Sequence, residues 1–365
     1  IVHYAMLVRE KAMERYGIDK LNSATELLYS RNGMTTSQKF DAIQTLFTDI
    51  ADYAKTGNRR GLREFSEVMG DWVDEVEARW SDSDATRGLS TGIGSLDDLL
   101  QPKGLVKGAL MVIGARPKMG KTTLYSQLAV NCAEVEQLPA LMFSLEMPDK
   151  QIVERMVGQV SRVNTDVFYG DRYDDTKVAM AFAAAGRLAQ NGNLYVDDTP
   201  GITLAHIVAE SRRIKRERGA VGMVLVDYLT LMTADKADRN DLAYGIITKG
   251  LKNLAKELNC IVVLLTQLNR DLEKRTNKRP MPSDSRDTGQ IEQDCDYWIG
   301  IYREGAYDEN ADQAATELLL RLNRHGPTGV VYCDQRNGAI YDCDQAAAEQ
   351  KRRANDARPN KKREF

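Results

Sequence analysis

Five short apolar runs alternate with helical patterns between residues 109 and 267, and this alternation constrains the fold more than any other feature. The runs are ALMVIGA (109–115), ALMFSLE (140–146), NLYVDD (193–198), GMVLVDY (222–228) and CIVVLLTQ (260–267). Runs of this kind are typical of strands that are buried on both faces of a parallel sheet. Helical stretches lie between them, at 121–135, 149–160, 203–218 and 241–258. The alternation therefore predicts an α/β fold, in which helices cover a mostly parallel sheet.

The segments on both sides of this region follow other patterns. Beyond residue 297, turns separate four strand-like runs: YWIGIYR, ATELLLRL, TGVVYCDQ and AIYDCD. These runs predict an antiparallel meander that is added to one edge of the sheet. Two amphipathic stripes precede the α/β region, the first formed by Phe40, Ile43, Leu46, Phe47 and Ile50 and the second by Phe65, Val68, Trp72, Val76 and Trp80. Their helical spacing predicts an α-helical N-terminal region.

Composition and cysteine content restrict the class of protein. Hydrophobic residues make up 42% of the 365 residues and charged residues 28%, which is typical of a soluble globular protein. The longest apolar runs are far shorter than the ~20 residues of a membrane-spanning helix, and the charged start does not have the pattern of a signal peptide. The five cysteines form no C-x-x-C pair, so we expect a reduced, cytoplasmic protein without a membrane partner. The net charge of −3 gives no support to a surface coated in positive charge, but it does not exclude a local basic channel for nucleic acid.

The stretch ARPKMGKTT (115–123) lies between the first predicted strand and its helix. It departs from the phosphate-binding pattern G-x-x-x-x-G-K-[ST] only at its start, where Ala115 replaces the first glycine and Gly114 comes one position early. A loop in this context turns backbone N–H groups and the positive end of a helix dipole toward a phosphate. We therefore predict a nucleotide site, rather than a surface lysine after a turn, with Lys121 at the terminal phosphates and Thr122 on Mg²⁺. The predicted loop comprises Ala115, Arg116, Pro117, Lys118, Met119, Gly120, Lys121, Thr122 and Thr123.

Polar residues at the ends of three other predicted strands complete this site. The run GMVLVDY has Asp227 after its apolar residues, which is the form of a Walker B strand, and this carboxylate would hold Mg²⁺ directly or through water. Glu146 follows ALMFSL, and a carboxylate at this edge of an α/β sheet can polarise a water next to the γ-phosphate. Gln267 ends CIVVLLTQ and is suited to sensing the γ-phosphate. Taken singly, each residue is also compatible with a structural role at a strand end or a helix cap.

Several stretches together resemble the DnaB-like replicative helicases, which are ring-shaped ATPases with a RecA-like core. The resemblance extends over residues 1–343 and rests on STGIGSLDDLL, ARPKMGKTT, FSLEM, LVDYLTLM, LAKELNCIVVLLTQLNR and KRPMPSDSRDTGQIEQDCD. The last stretch is the most specific, because generic ATPases do not carry it. Alanine is common at the first position of the phosphate loop in this family, so Ala115 fits. The resemblance implies a RecA-like P-loop core with an added antiparallel edge, and an ATP-dependent DNA helicase that uses ATP and Mg²⁺.

The resemblance also implies a role for each matching residue of the site. Lys121 and Thr122 would bind phosphate and Mg²⁺. Glu146 would be the catalytic base, and Asp227 would be the Walker B acid. Gln267 would couple the γ-phosphate to DNA. A family arginine near the nucleotide has its match in Arg155, with a less defined role.

A further implied residue would act on the neighbouring subunit. Arg324, in RLNRHGPTG, aligns with the arginine finger of the family, which stabilises transition-state charge in trans. The family often has a lysine two places before this arginine, and the present chain has Leu322 there. Arg321 or another residue would have to supply the missing cation, and the sequence leaves this open.

The segment from Arg270 to Arg286 is rich in charge and poor in apolar residues. Its cations are Arg270, Lys274, Arg275, Lys278, Arg279 and Arg286, and acids interrupt them at Asp271, Glu273 and Asp284. Composition alone favours a solvated charged loop. The stretch SDSRDTG is similar to the family segment that lines the central channel, which implies contacts with single-stranded DNA from Arg270, Arg286, Asp287 and Gly289. In these contacts Arg286 would pair with a phosphate, and such pairing follows a strand without reading its sequence.

The resemblance divides residues 1–345 into three parts. Residues 1–34 would be a remnant of the N-terminal helical collar domain, residues 35–88 a linker helix (35–55) with a helical connector, and residues 89–345 the ATPase motor. The polar, basic composition of residues 346–365 predicts a disordered tail. In the family the linker helix packs on the next subunit, which would bury the apolar stripes. The alternative is a small helical domain that packs on its own motor.

The function implied by the resemblance is that of a homohexameric ring or spiral that moves 5′→3′ on single-stranded DNA and unwinds duplex at the replication fork. Its partners would include primase and a helicase loader, in a bacterial cell or a phage-infected bacterial host. Two other classes remain open. The first is a recombinase of the RecA/RadA type, in which ATP is a switch for strand exchange. The second is a regulatory ATPase that binds ATP without DNA-stimulated turnover.

Overall fold

The structure is a computed structural model, and it describes residues 2–30, 33–36, 38–40, 42–43, 46–47, 50, 64–81, 87–101, 103–169, 174–227, 240–285 and 288–356. The chain divides into two compact units, Ile1–Ala85 and Thr86–Phe365. Most of the predicted linker helix at 35–55 lies outside the described residues, and those of its positions that are described from 36 onward are helical. None of the helices within the described residues combines the length and the apolar character that crossing a membrane requires.

Among its described residues, the first unit has two long helices, α1 (Val2–Tyr29) and α2 (Phe65–Ser81). The predicted stripe of α2 is formed, and its aromatic residues Phe65, Trp72 and Trp80 are exposed. Covering large apolar side chains on a helix face with another surface is energetically favourable. The face of α2 is therefore a candidate contact surface.

The second unit is built on one sheet, to which the described residues contribute nine strands. The strands are β1 (Leu110–Ala115), β2 (Ala140–Ser144), β3 (Leu194–Asp197), β4 (Met223–Asp227), β5 (Ile261–Gln267), β6 (Tyr297–Tyr302), β7 (Ala315–Asn323), β8 (Gly329–Arg336) and β9 (Ala339–Asp342). Their order is β3-β2-β4-β5-β1-β6-β7-β8-β9. Neighbours from β3 to β6 are parallel, and neighbours from β6 to β9 are antiparallel. The predicted α/β fold with an antiparallel edge is confirmed.

Helices cover both faces of this sheet. They are α3 (Gly94–Leu99), α4 (Lys121–Glu134), α5 (Asp149–Ser161), α6 (Asp175–Asn191), α7 (Leu204–Arg218), α8 (Asn240–Leu258), α9 (Thr288–Asp294) and α10 (Gln345–Asp356). Successive strand residues point to opposite faces, so Met111 and Ile113 join one hydrophobic cluster while Leu110 and Val112 join the other. Burial on both faces explains why the sequence of β1 is apolar throughout.

The predicted disordered tail is wrong for the residues up to Asp356, because Gln345–Asp356 forms α10. The sequence QAAAEQKRRAND consists largely of strong helix formers, and Asp344 caps it by accepting a hydrogen bond of 3.0 Å from the Ala347 N–H. Lys351 Nζ lies 2.6 Å from Asp312, and Arg352 contacts Glu317 on β7. The charges that suggested a solvated tail instead attach this helix to the rest of the second unit. Residues 357–365 lie outside the described residues.

Candidate active site

The predicted phosphate loop connects the end of β1 to the start of α4. Gly120 is the N-cap of α4 and has a left-handed φ of +100°. This backbone conformation favours glycine, and a Cβ atom here would stand 2.5 Å from Oε1 of Gln335 and would displace that side chain. The open N-terminus of α4 is thereby left facing the loop, which is the arrangement that binds phosphate.

Three of the predicted residues meet at the carboxyl edge of the sheet. Lys121 Nζ lies 3.3 Å from Asp227 Oδ1 and 4.0 Å from Glu146 Oε2. The neighbouring strands β2 and β4 cause this meeting, because Ser144 pairs with Asp227 and the Leu145 N–H donates to the Asp227 carbonyl at 2.7 Å. Glu146 itself lies in the turn after β2, where the Ser144 hydroxyl donates to the Met147 carbonyl at 2.7 Å. The side chain of Asp227 is 1% exposed and that of Glu146 is 47% exposed, so the two acids have different access to water.

The buried carboxyl of Asp227 is suited to a hard cation. Burial raises its pKa above the ordinary value, and the charge of Lys121 opposes that increase. Apart from Lys121, its Oδ1 has no polar partner among the described residues. Thr122 is in the first turn of α4, and hydroxyl and carboxylate oxygens are the ligands that Mg²⁺ prefers. Thr122 and Asp227 therefore fit a magnesium ion.

Gln267 lies beside the beginning of the phosphate loop. It is the last residue of β5 and pairs with Ala115, the last residue of β1. Because β5 runs between β1 and β4, it separates the phosphate loop from Asp227 by one strand. An amide at this position is next to the loop and at the same sheet edge as both acids.

A cavity of about 450 Å³ adjoins the first turn of α4. Arg155 of α5 and Thr123 of α4 line it together with Tyr169 and Gln335. Gln335 Nε2 lies 3.3 Å from the Thr123 hydroxyl. The sequence identified Arg155 and Thr123, but it gave no indication of Gln335, which comes from the antiparallel edge strand β8. Only the folding of β8 against α4 brings it to the site.

The side chain of Arg116 extends from the phosphate loop to the segment that follows β5. Its Nε donates to Glu273 at 2.8 Å, and its Nη1 donates to the carbonyl of Leu268 at 2.8 Å. Glu273 was not identified from the sequence, where its spacing from Arg116 carries no recognisable pattern.

Arg324 lies at the opposite edge of the sheet from its own phosphate loop. It follows β7, which is antiparallel to β6, and Asn323 at the end of β7 pairs with Tyr297 at the start of β6. Since β6 is parallel to β1, this end of β7 is at the amino edge of the parallel strands, whereas Ala115 is at the carboxyl edge. The guanidinium of Arg324 donates to the carbonyl of Gln293 in α9. Arg324 is thus separated from the cluster around Lys121.

A β-bulge distinguishes Arg321 from Leu322. Trp298 pairs with Leu322 while its neighbour Ile299 pairs with Leu320, so Arg321 is the extra residue. Leu322 packs against the core cluster that contains Trp298. Arg321 Nε is buried and has no hydrogen-bond partner among the described residues. The chain therefore uses position 322 for packing and keeps a cation next to it.

Three of the five described cations of the charged segment after β5 are already paired with acids. Lys274 lies 2.6 Å from Asp271, and Arg275 lies 2.6 Å from Asp284. Arg279 binds Glu317 with two hydrogen bonds, of 2.6 and 3.0 Å. Arg270 is exposed, and no acid pairs with it in the part of the chain that the structure describes. Gly289 is in α9, while Arg286 and Asp287 lie outside the described residues.

Comparison with known proteins decides the family. The model of the DnaB-like helicase C-terminal domain matches residues 88–339. The chain belongs to the DnaB-like helicase family. It is 37% identical to the replicative DNA helicase DnaB of Pasteurella multocida over 91% of this chain and 71% of that protein. It is 32% identical to the replicative DNA helicase DnaC of Bacillus subtilis over 91% of this chain and 72% of that protein.

Solved structures agree with this assignment at the level of the fold. An ATPase domain that is 27% identical superposes with a TM-score of 0.71 and covers 78% of this chain and 100% of its own. A DnaB-like replicative helicase, described with its interactions with primase, superposes with a TM-score of 0.76 at 24% identity and covers 94% of this chain and 79% of its own. The predicted family, fold and enzyme class are confirmed: this DnaB-like protein is an ATP-dependent replicative DNA helicase.

Proposed function

We propose that this helicase works as a homohexameric ring or spiral that moves 5′→3′ on single-stranded DNA, driven by hydrolysis of ATP with Mg²⁺. The observation that carries the proposal is the division of the site between two sheet edges. Lys121, Asp227 and Glu146 lie together at the carboxyl edge, and Arg324 lies at the amino edge. An arginine at the far edge can reach a nucleotide only in a neighbouring copy of the chain.

Each residue of the carboxyl edge has a distinct part in hydrolysis. The N-terminus of α4 and Lys121 bind and orient the phosphates. Thr122 and Asp227 would hold Mg²⁺, which neutralises phosphate charge when bound. Glu146 is exposed enough to meet water and close enough to Lys121 to face the phosphates, so its carboxylate would accept a proton from the attacking water. Gln267, beside Ala115, would respond to the γ-phosphate.

The assembly follows from surfaces on both units. Arg324 would complete the neighbour's site, and a head-to-tail contact of this kind closes into a ring when the rotation permits. The exposed apolar face of α2 supports association, because Phe65, Trp72 and Trp80 would be covered in an assembly. The cavity lined by Arg155, Tyr169 and Gln335 is large enough for the sugar and base of the nucleotide.

The DNA strand would contact residues on both sides of the charged segment after β5. Arg270 and Arg286 are the cations proposed for phosphate contacts, and Asp287 and Gly289 would approach the backbone of the strand. Primase and a helicase loader are further proposed partners; the primase proposal draws on the DnaB-like helicase described with its interactions with primase.

The Arg286→Ala variant should weaken single-strand binding because it removes one phosphate contact. The slope of log affinity against log salt concentration should fall by ~0.7, the value for one contact on a single strand. Fluorescence anisotropy at four or five salt concentrations measures this slope. As a control, Arg213→Ala removes the same charge from a pair with Glu210 and Glu217 on α7 and should leave the slope unchanged. An unchanged slope in Arg286→Ala would exclude the proposed contact.

A forked DNA substrate tests the function as a whole. The purified protein should separate the strands with ATP and Mg²⁺ and should fail with a non-hydrolysable ATP analogue. Blocking either tail of the fork in turn should show that the 5′ tail is required. Electron microscopy of the same samples should show closed six-membered rings or short spirals. Long filaments on DNA without strand separation would instead indicate a recombinase of the RecA/RadA type.

A further inference from the structure

The phosphate loop is tied to the segment after β5 by one side chain. The side chain of Arg116 is only 13% exposed, and it makes two hydrogen bonds to this segment. One goes to the backbone carbonyl of Leu268, the residue directly after Gln267, at 2.8 Å. The other goes to the carboxylate of Glu273, also at 2.8 Å. A guanidinium holds two acceptors in a fixed relative geometry, so the loop and the segment are constrained to move together.

The segment itself is folded so that its two ends meet. Leu268 forms an isolated antiparallel bridge with Ser285, and the Asn269 N–H donates to the Asp284 carbonyl at 2.8 Å. Ser285 is fully buried and accepts a hydrogen bond of 3.2 Å from Trp298 Nε1. The backbone position that Arg116 holds is therefore bridged to Ser285, which directly precedes the proposed DNA contact Arg286 in the sequence.

We propose that Arg116 and Glu273 form a coupling pair, through which the nucleotide state of the phosphate loop sets the position of Ser285 and so controls DNA contact by Arg286, the next residue in the sequence. This inference rests on the proposed function, and in it both side chains are positioning residues. When bound phosphates draw the phosphate loop toward the N-terminus of α4, the Arg116 guanidinium moves with this loop and displaces Leu268 and Glu273. The bridge from Leu268 to Ser285 passes the displacement to Ser285, which directly precedes Arg286 in the sequence.

Because Glu273 is partly exposed, its substitution can test coupling without destabilising the fold. Its side chain is 43% exposed, and ion pairs at such positions contribute little to the free energy of folding. Removing its charge should therefore leave a folded protein with an intact nucleotide site. The same 3₁₀-helical turn, Arg270–Lys274, supplies a matched control, because Lys274 pairs with Asp271 at 2.6 Å and its side chain is 80% exposed.

The test compares Glu273→Gln with Lys274→Ala and the wild-type protein. ATP hydrolysis is measured without DNA and with saturating oligo-dT, and oligo-dT affinity is measured with a non-hydrolysable ATP analogue and with ADP. In Glu273→Gln the rate without DNA should equal that of the wild type, while the stimulation by DNA should fall roughly threefold, the size that a half-exposed ion pair supports. The ratio of the two DNA affinities should shrink by a similar factor, because coupling between two binding sites is reciprocal. Lys274→Ala should retain the wild-type stimulation and affinity ratio.

A double-mutant cycle distinguishes coupling from unrelated losses. Adding Glu273→Gln to Arg116→Gln should cause no further loss of DNA stimulation, because the pair is already broken. Additive losses, or wild-type stimulation in Glu273→Gln alone, would overturn the coupling pair. A wild-type protein that shows no stimulation by DNA and no strand separation would instead contradict the proposed function. The two failures are therefore distinguishable.

Discussion

Replacing Lys121 by alanine should reduce ATP hydrolysis by roughly a hundredfold or more, the cost of removing a charge that stabilises the transferred phosphoryl group. The side chain lies at the centre of the site, 3.3 Å from Asp227 and 4.0 Å from Glu146. Its loss would also leave the buried carboxyl of Asp227 without its cation, and an uncompensated buried acid takes up a proton more readily. Both effects act against binding of Mg²⁺ and nucleotide. Steady-state phosphate release, with and without oligo-dT, measures the change.

Lys107→Ala is the control for this experiment. Lys107 is exposed and precedes β1, so it lies at the opposite end of the strand that carries the phosphate loop. The variant removes the same charge and should hydrolyse ATP at the wild-type rate. If Lys121→Ala kept a substantial part of the wild-type rate while remaining folded by circular dichroism, the assignment of the phosphate loop would have to be abandoned.

The Arg324→Ala variant should lose ATPase activity by roughly three orders of magnitude, the lower end of what an arginine finger contributes. The reason is geometric, because Arg324 follows β7 at the amino edge of the sheet and cannot serve the site of its own chain. Its backbone N–H donates to the Asp296 carbonyl at 2.9 Å, which fixes the base of the side chain. Arg336→Ala is a suitable control, since Arg336 pairs with Asp334 on its own β8 strand at 2.6 Å.

Mixing two inactive variants gives the decisive measurement for Arg324. Lys121→Ala subunits have no working phosphate loop but carry an intact Arg324. Arg324→Ala subunits have a working phosphate loop but lack the arginine finger. In randomly mixed rings about a quarter of the contacts combine an intact loop with an intact finger, as a head-to-tail interface requires. Activity should therefore reappear when the variants are mixed before assembly. A mixture as inactive as its parts would show that Arg324 acts within its own subunit or not at all.

The parallel part of the fold could be predicted because its strands are apolar throughout. Burial on both faces forces this composition, and the sequence of β1, β2, β4 and β5 shows it directly. The meeting of Lys121, Asp227 and Glu146 was also predictable, since the carboxyl ends of parallel strands meet at one sheet edge. The end of the chain was misjudged, because its charges suggested solvation and the partners of Lys351 and Arg352 lie far away in the sequence.

Other features of the site could not be predicted from the sequence. The contact of Arg116 with Glu273 and that of Gln335 with Thr123 join segments that only the folded sheet brings together. Whether Arg321 can supply the cation that position 322 lacks depends on a β-bulge. A bulge changes the face of the sheet to which a residue points, and no sequence pattern predicts this one. Because Arg321 is the extra residue of that bulge, a cation stays beside the packed leucine.

The burial of the cysteines has a practical consequence for following this motor at work. Cys132, Cys260 and Cys295 are buried, which raises the pKa of each thiol to about 12, and burial likewise raises the pKa of Cys333. A thiol reacts as its thiolate, so these four should label slowly at neutral pH, and only Cys343 is half-buried. A single cysteine introduced at exposed Ser283, within the segment that the coupling pair holds, would accept a fluorophore against low background. The movement of that segment could then be timed, turnover by turnover, against phosphate release.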